Sequence, residues 1–177
     1  AEGGGRWGGG GGRRGPSAGV GAKRKAAAGQ AGAVQADVSD DGGFTAAIEA
    51  AAQRHGRLDV LVNNAMAYSW GAIEATSTAD WHSNFNTSVD GTFWGTRAAM
   101  KLMKERGGAI INLSSICGLL GTAHMAGYSA AKAAIIHFSP AACPQGARRG
   151  IRFTVVIPTV VGTPGPAARR AGQGPRR

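Results

Sequence analysis

The chain has 177 residues, 43% of them hydrophobic and 17% charged, which is enough for one ordinary domain. Its formal charge of +10 sits in two flanks: residues 1–36 hold six Lys/Arg against one acid, and residues 145–177 hold seven Arg and no acid. The middle, 37–144, holds seven basic and nine acidic side chains, so a folded basic face for nucleic acid is not what the pattern describes.

Thirteen of the first 36 residues are glycine, five of them consecutive at 8–12. Such a segment buries too little apolar surface to offset its chain entropy, so residues 1–32 are expected to be disordered, as is a basic tail at 165–177. One α/β domain is expected between them, over 33–164. Residues 34–38 read as a short strand. Residues 43–55 place Phe44, Ala47, Ile48 and Ala51 at helical spacing and stop before Gly56. Residues 58–62 form an apolar strand that leads into Asn63 and Asn64. Ser77-Thr-Ala-Asp80 is a capping box for a long helix, expected to run to about Arg106 and to be halted by Gly107 and Gly108. Residues 110–113 are a strand, 126–138 a helix, and 151–157 a last strand. Pro140 and Pro144, each costing roughly 3 kcal/mol inside a helix, are expected to end that helix near Ser139. Strands alternating with helices of this length make βαβ units and a parallel, doubly wound sheet. Ligands of such sheets sit beyond the carboxyl ends of the strands.

No stretch reaches the roughly 18 apolar residues of a membrane span, so no membrane partner is expected. Cys117 and Cys143 are far apart and read as reduced thiols of a cytoplasmic protein. The N-terminal residues lack the apolar core of a secretion signal. His55, His82, His124 and His137 have no metal-ligand spacing, so no metal site is expected.

The chemistry concentrates near Tyr128-Ser-Ala-Ala-Lys132, with Ser115 thirteen positions upstream. Residues four apart on a helix lie on one face, so a phenol and an ammonium would share the same space. A phenol titrates near ~10, and an adjacent cation favours its phenolate. A serine hydroxyl from the preceding strand end would then hold a carbonyl or alcohol oxygen against that phenol.

With Asp37-Val38, Asn63-Asn64-Ala65, Asn112-x-Ser114-Ser115, Tyr128-x3-Lys132 and Pro158-x4-Thr163 in this order, the chain resembles the short-chain dehydrogenase/reductase family, of the classical type. The resemblance covers residues 33 to about 164. It implies a single Rossmann-like domain, here lacking the first βα unit and the C-terminal substrate region. It further implies an NAD(P)-dependent oxidoreductase that interconverts a small-molecule carbonyl and alcohol, with NAD or NADP left open. By the same resemblance Tyr128 is the acid/base, Lys132 holds the nicotinamide ribose, and Ser115 orients the substrate oxygen. Asp37 and Val38 lie beside adenine, Asn63 and Ala65 line the cofactor, Asn64 steadies the central strand, and Val161 and Thr163 meet the nicotinamide amide. Family members often pair their long helices into homo-oligomers, for which Phe93, Trp94, Ala98 and Met100 are available, although packing within the core is the preferred reading of these four.

Three positions depart from the family pattern. Met66 stands where the family has Gly, which would crowd the adenosine; Thr159 replaces the Gly of Pro-Gly; and Ser88 stands at the fourth catalytic position, usually Asn. Asn86, two residues away on the helix, points to the other side. Ser88 would hold a relay water less well than Asn. Gly15, Gly19 and Gly21 match the family's glycine loop in letters, but no apolar strand precedes them, and a chance match is preferred to a remnant of the real loop. The competing reading is therefore an inactive fragment that binds no cofactor. A third, an RNA-binding Gly/Arg tail, has too little repetition in its Arg and aromatic residues to be preferred.

Overall fold

The computed structural model describes residues 32–159, of which 36–159 belong to one compact unit. Five helices and three strands are described. Helix α1 is Asp41–His55, strand β1 Val60–Asn63 and helix α2 Thr78–Phe85. A π-helical turn at Asn86–Asp90 leads directly into helix α3, Gly91–Leu102. Strand β2 is Gly108–Leu113, helix α4 Cys117–Leu120, helix α5 Ala126–Ala147 and strand β3 Ile151–Val156.

The strands form an all-parallel sheet in the order β1-β2-β3, with Asn63 opposite Asn112 and Asn112 opposite Val155. Alternation along the strands sends Leu61, Asn63, Ile110, Asn112, Ile151 and Phe153 to one face. Ala99 and Met103 of the α3 region pack there with Ile110 and Ile151 as the core. On the opposite face Val60, Val62 and Val156 are exposed. The fold is a Rossmann-like parallel α/β sheet, seen among the described residues with helices on one face.

The local signals explain most boundaries. Asp40 caps α1 by accepting from Gly43 N–H, and Gly56, at φ 72°, closes it. Ser77 Oγ accepts from Asp80 N–H at 3.0 Å, as a capping box requires. Gly107, at φ 71°, ends the turn after α3.

Three expectations need correction. Residues 32–37 carry no strand and 38–39 form a turn, so the strand expected at 34–38 is absent. An extended segment gains its ladder bonds only from a neighbour, and Asp37 instead accepts from Ser39 N–H and Oγ. The long helix is interrupted at the π-helical turn, closed by Gly91 N–H to the Asn86 carbonyl, and it ends at Leu102. Helix α5 does not stop near Ser139 but continues to Ala147 with both prolines inside it. Pro140 and Pro144 stand four apart on the exposed side, while Ile135, Ser139, Ala142 and Gly146 are buried on the other. That burial against the sheet offsets the cost of the lost hydrogen bonds.

Candidate active site

Lys132 is the pivot of the site. Its side chain is 2% exposed, and Nζ donates to the Leu113 carbonyl at the end of β2 over 2.7 Å. Burial holds its pKa down to about 8, because desolvation disfavours the ammonium. The Lys132 carbonyl accepts from Ser114 Oγ at 2.7 Å, so strand end and helix are joined on both sides of this residue. Gly118 makes the approach possible: a Cβ there would lie 2.7 Å from the Lys132 carbonyl carbon.

Tyr128 lies one turn earlier on α5, half-buried, with Lys132 Nζ 5.7 Å from the centre of its ring. The ring of Tyr68 meets it edge-on at 5.7 Å. Ser115 is buried, and its Oγ accepts from Cys117 N–H at 3.2 Å, which leaves the hydroxyl proton for another acceptor. The β3 end closes the same corner, since Ile116 N–H donates to the Pro158 carbonyl at 3.0 Å. Ser115, Tyr128 and Lys132 are thus brought to the carboxyl ends of β2 and β3.

The expected cofactor-side residues divide. Val38 packs on Gly91, where a Cβ would come within 3.2 Å of its side chain. Asp37 is exposed, and its hydrogen bonds from Ser39 Oγ and N–H hold its carboxyl below the usual range. Asn63 is buried: its amide donates to Asn112 Oδ1 at 2.9 Å and more weakly to Thr96 Oγ1 and the Thr92 carbonyl. Asn112 in turn donates to Ser139 Oγ at 2.8 Å. The side chain of Asn63, rather than that of exposed Asn64, therefore ties the sheet to its helices. Ala65 and Met66 are exposed at the strand end. Val161 and Thr163 lie outside the described residues.

Ser88 sits on the π-helical turn, fully buried, with no partner for Oγ among the described residues. Its carbonyl accepts from Thr92 Oγ1 at 2.6 Å. Asn86 is exposed. Among the described residues no group of three His, Cys, Asp or Glu could hold a metal, and no helix is long and apolar enough to cross a membrane.

Sequence reasoning missed two contributors. The Leu113 carbonyl has no side-chain signal at all. Tyr68 had one: an aromatic in the loop after a strand that ends in Asn63-Asn64, on the ligand side of the sheet.

A family model described as short chain dehydrogenase matches residues 13–174. The chain belongs to the short-chain dehydrogenase family. The match takes in Gly15, Gly19 and Gly21, which lie outside the described residues. The trans-4-hydroxycyclohexanecarboxylate dehydrogenase of Sinomonas cyclohexanicum is 39% identical over 80% of this short-chain dehydrogenase chain and 54% of its own. A 3-alpha-(or 20-beta)-hydroxysteroid dehydrogenase of Mycobacterium bovis is 39% identical over 74% of the chain and 51% of its own. Among solved structures, ElxO with NADP bound is 34% identical at a TM-score of 0.74, over 78% of the chain and 56% of its own. The chain spans about half the length of the curated relatives it matches.

Proposed function

We propose that the chain carries the catalytic centre of an NAD(P)-dependent oxidoreductase that interconverts a small-molecule carbonyl and an alcohol. The observation that carries this reading is the buried Lys132 ammonium between the Leu113 carbonyl and the Tyr128 ring. A cation taken out of water is costly, and a role at the Tyr128 phenol accounts for its place.

In the reducing direction Tyr128 gives its proton to the carbonyl oxygen, and in oxidation it takes the proton of the alcohol. Lys132 favours the phenolate that this exchange creates. Ser115, its oxygen already accepting from Cys117 N–H, donates its proton to the substrate oxygen. Ser88 offers a buried hydroxyl for a relay water, in place of the amide usual at that position. Lys132 has one hydrogen-bond acceptor among the described residues, which leaves two N–H groups for ribose hydroxyls. With Asp37, Val38, Ala65, Val161 and Thr163 it forms the proposed cofactor-holding set. A nicotinamide cofactor, NAD or NADP, supplies or accepts the hydride when bound. Pairing of two copies through α3 and α5 belongs to the same proposal, supported by Phe93, 45% exposed, beside Phe138.

The competing reading, a fragment without a working cofactor site, keeps Met66 and Ser88 as its supports but loses the broken helix, because α5 is continuous through both prolines. Nicotinamide absorbance at 340 nm, followed with a secondary alcohol and either nucleotide, separates the two. Turnover that disappears in Tyr128→Phe supports the oxidoreductase; turnover untouched by that change removes Tyr128 from the mechanism.

A further inference from the structure

The two segments beside Tyr128, residues 64–76 and 116–125 (the second including α4), hold one formally charged side chain between them, Glu74. Their large apolar side chains stand in the open: Trp70 is 60% exposed, Leu119 57% and Leu120 80%. Scattered exposed apolar residues need no explanation, but aromatic side chains gathered beside a reactive phenol do. These loops are held to each other. Gly71 N–H donates to the His124 carbonyl at 2.9 Å, and the Trp70 ring lies against the His124 ring at 5.5 Å between centres. His124 holds this contact at φ 64°, a backbone conformation that costs a non-glycine residue free energy and survives only where its surroundings impose it. Tyr68, in the same segment as Trp70, meets the Tyr128 ring edge-on.

We infer that Tyr68, Trp70 and His124 form an aromatic wall that seats an uncharged secondary alcohol or ketone carried on an apolar ring. The inference rests on the proposed oxidoreductase reading and names its substrate class. The secondary alcohol loses a hydride from its carbinol carbon to NAD(P)+ and its hydroxyl proton to Tyr128, giving the ketone, NAD(P)H and a proton that passes on to solvent. The ring of the substrate stacks on Trp70 while its oxygen reaches Tyr128 and Ser115. A phosphate-bearing carrier thioester would meet no cation on these loops, and Glu74 would repel it.

The test uses the full 177-residue chain and saturation-transfer NMR with acetophenone and acetone as probes, a readout independent of turnover. Acetophenone should receive about tenfold more transfer than acetone, the scale on which an apolar pocket discriminates, and Trp70→Ala should remove most of that difference. His124→Gly, which removes the ring stacked on Trp70 and relieves the backbone conformation, should weaken it as well. Equal transfer to both probes, or a preference unchanged in both variants, overturns the inference. Preferential contact with acetophenone without any oxidation of 1-phenylethanol by either nucleotide would keep the aromatic wall and remove the oxidoreductase reading.

Discussion

The corner proposed for proton transfer and the side proposed for adenosine are built in opposite ways. Around Lys132 the chain is over-determined: Nζ, the backbone carbonyl and the glycine-bared neighbouring loop all fix one residue, which is buried. Around Asp37 the chain is an exposed turn whose carboxylate is held by its own neighbour, Ser39. Packing thus determines where the phenol and ammonium stand, while the Asp37 carboxylate is held by hydrogen bonds from its own turn. A polar ladder, Asn63 to Asn112 to Ser139, ties β1, β2 and α5 together on the helix-covered face of the sheet.

Tyr128→Phe should show the largest effect, a loss of turnover on the order of 10²–10⁴-fold. It should leave the thermal midpoint and its response to nucleotide in place. Lys132→Met should cost turnover similarly and also reduce the nucleotide response, since it removes both the cation and the ribose donors. Its effect on stability depends on pH. The folded pKa of Lys132 is depressed to about 8 from 10.5, so between those values the unfolded chain binds a proton that the folded chain has given up. Wild-type stability should therefore rise with pH across that window. Lys132→Met relieves the desolvation but leaves the Leu113 carbonyl without its donor, so its stability relative to wild type should be greatest near pH 7 and fall toward pH 10.5, read by urea unfolding.

Asn112→Leu should cost about 1–3 kcal/mol, because it removes the nearest acceptor of the buried Asn63 amide and the donor to Ser139 Oγ. Denaturant unfolding reads it, and a neutral result would show that the ladder does not hold β1, β2 and α5 together. Asp37→Asn should be smallest. It should weaken nucleotide binding a few-fold, about 0.5–1.5 kcal/mol for one exposed hydrogen-bonding group, with no change in stability, by titration calorimetry.

The sequence was most legible where local rules act. Ser77 and Asp80 announced their helix start, Gly56 the stop of α1, and the spacing of Tyr128 and Lys132 placed them on one face. It was least legible where long-range partners decide. The strand expected at 34–38 had the composition but lacks a pairing partner among the described residues. Pro140 and Pro144 looked like terminators because their cost is local, whereas the burial that offsets it comes from β2 and β3. The π-helical turn that carries Ser88 follows from a bond between Gly91 and Asn86, which no residue pattern advertises. At the site, the order and spacing of the residues anticipated that Tyr128 and Lys132 stand together near the end of β2. The Leu113 carbonyl and the aromatic wall needed the fold.

The most direct measurement is thermal unfolding of the 177-residue chain, alone and with saturating NAD+ or NADP+. The expected result is one cooperative transition raised by one of the two nucleotides, by about 2.7 kcal/mol of added stability at a hundred times the dissociation constant. That shift should shrink in Lys132→Met and persist in Tyr128→Phe. A transition that neither nucleotide moves would contradict the proposed cofactor site and favour the inactive fragment.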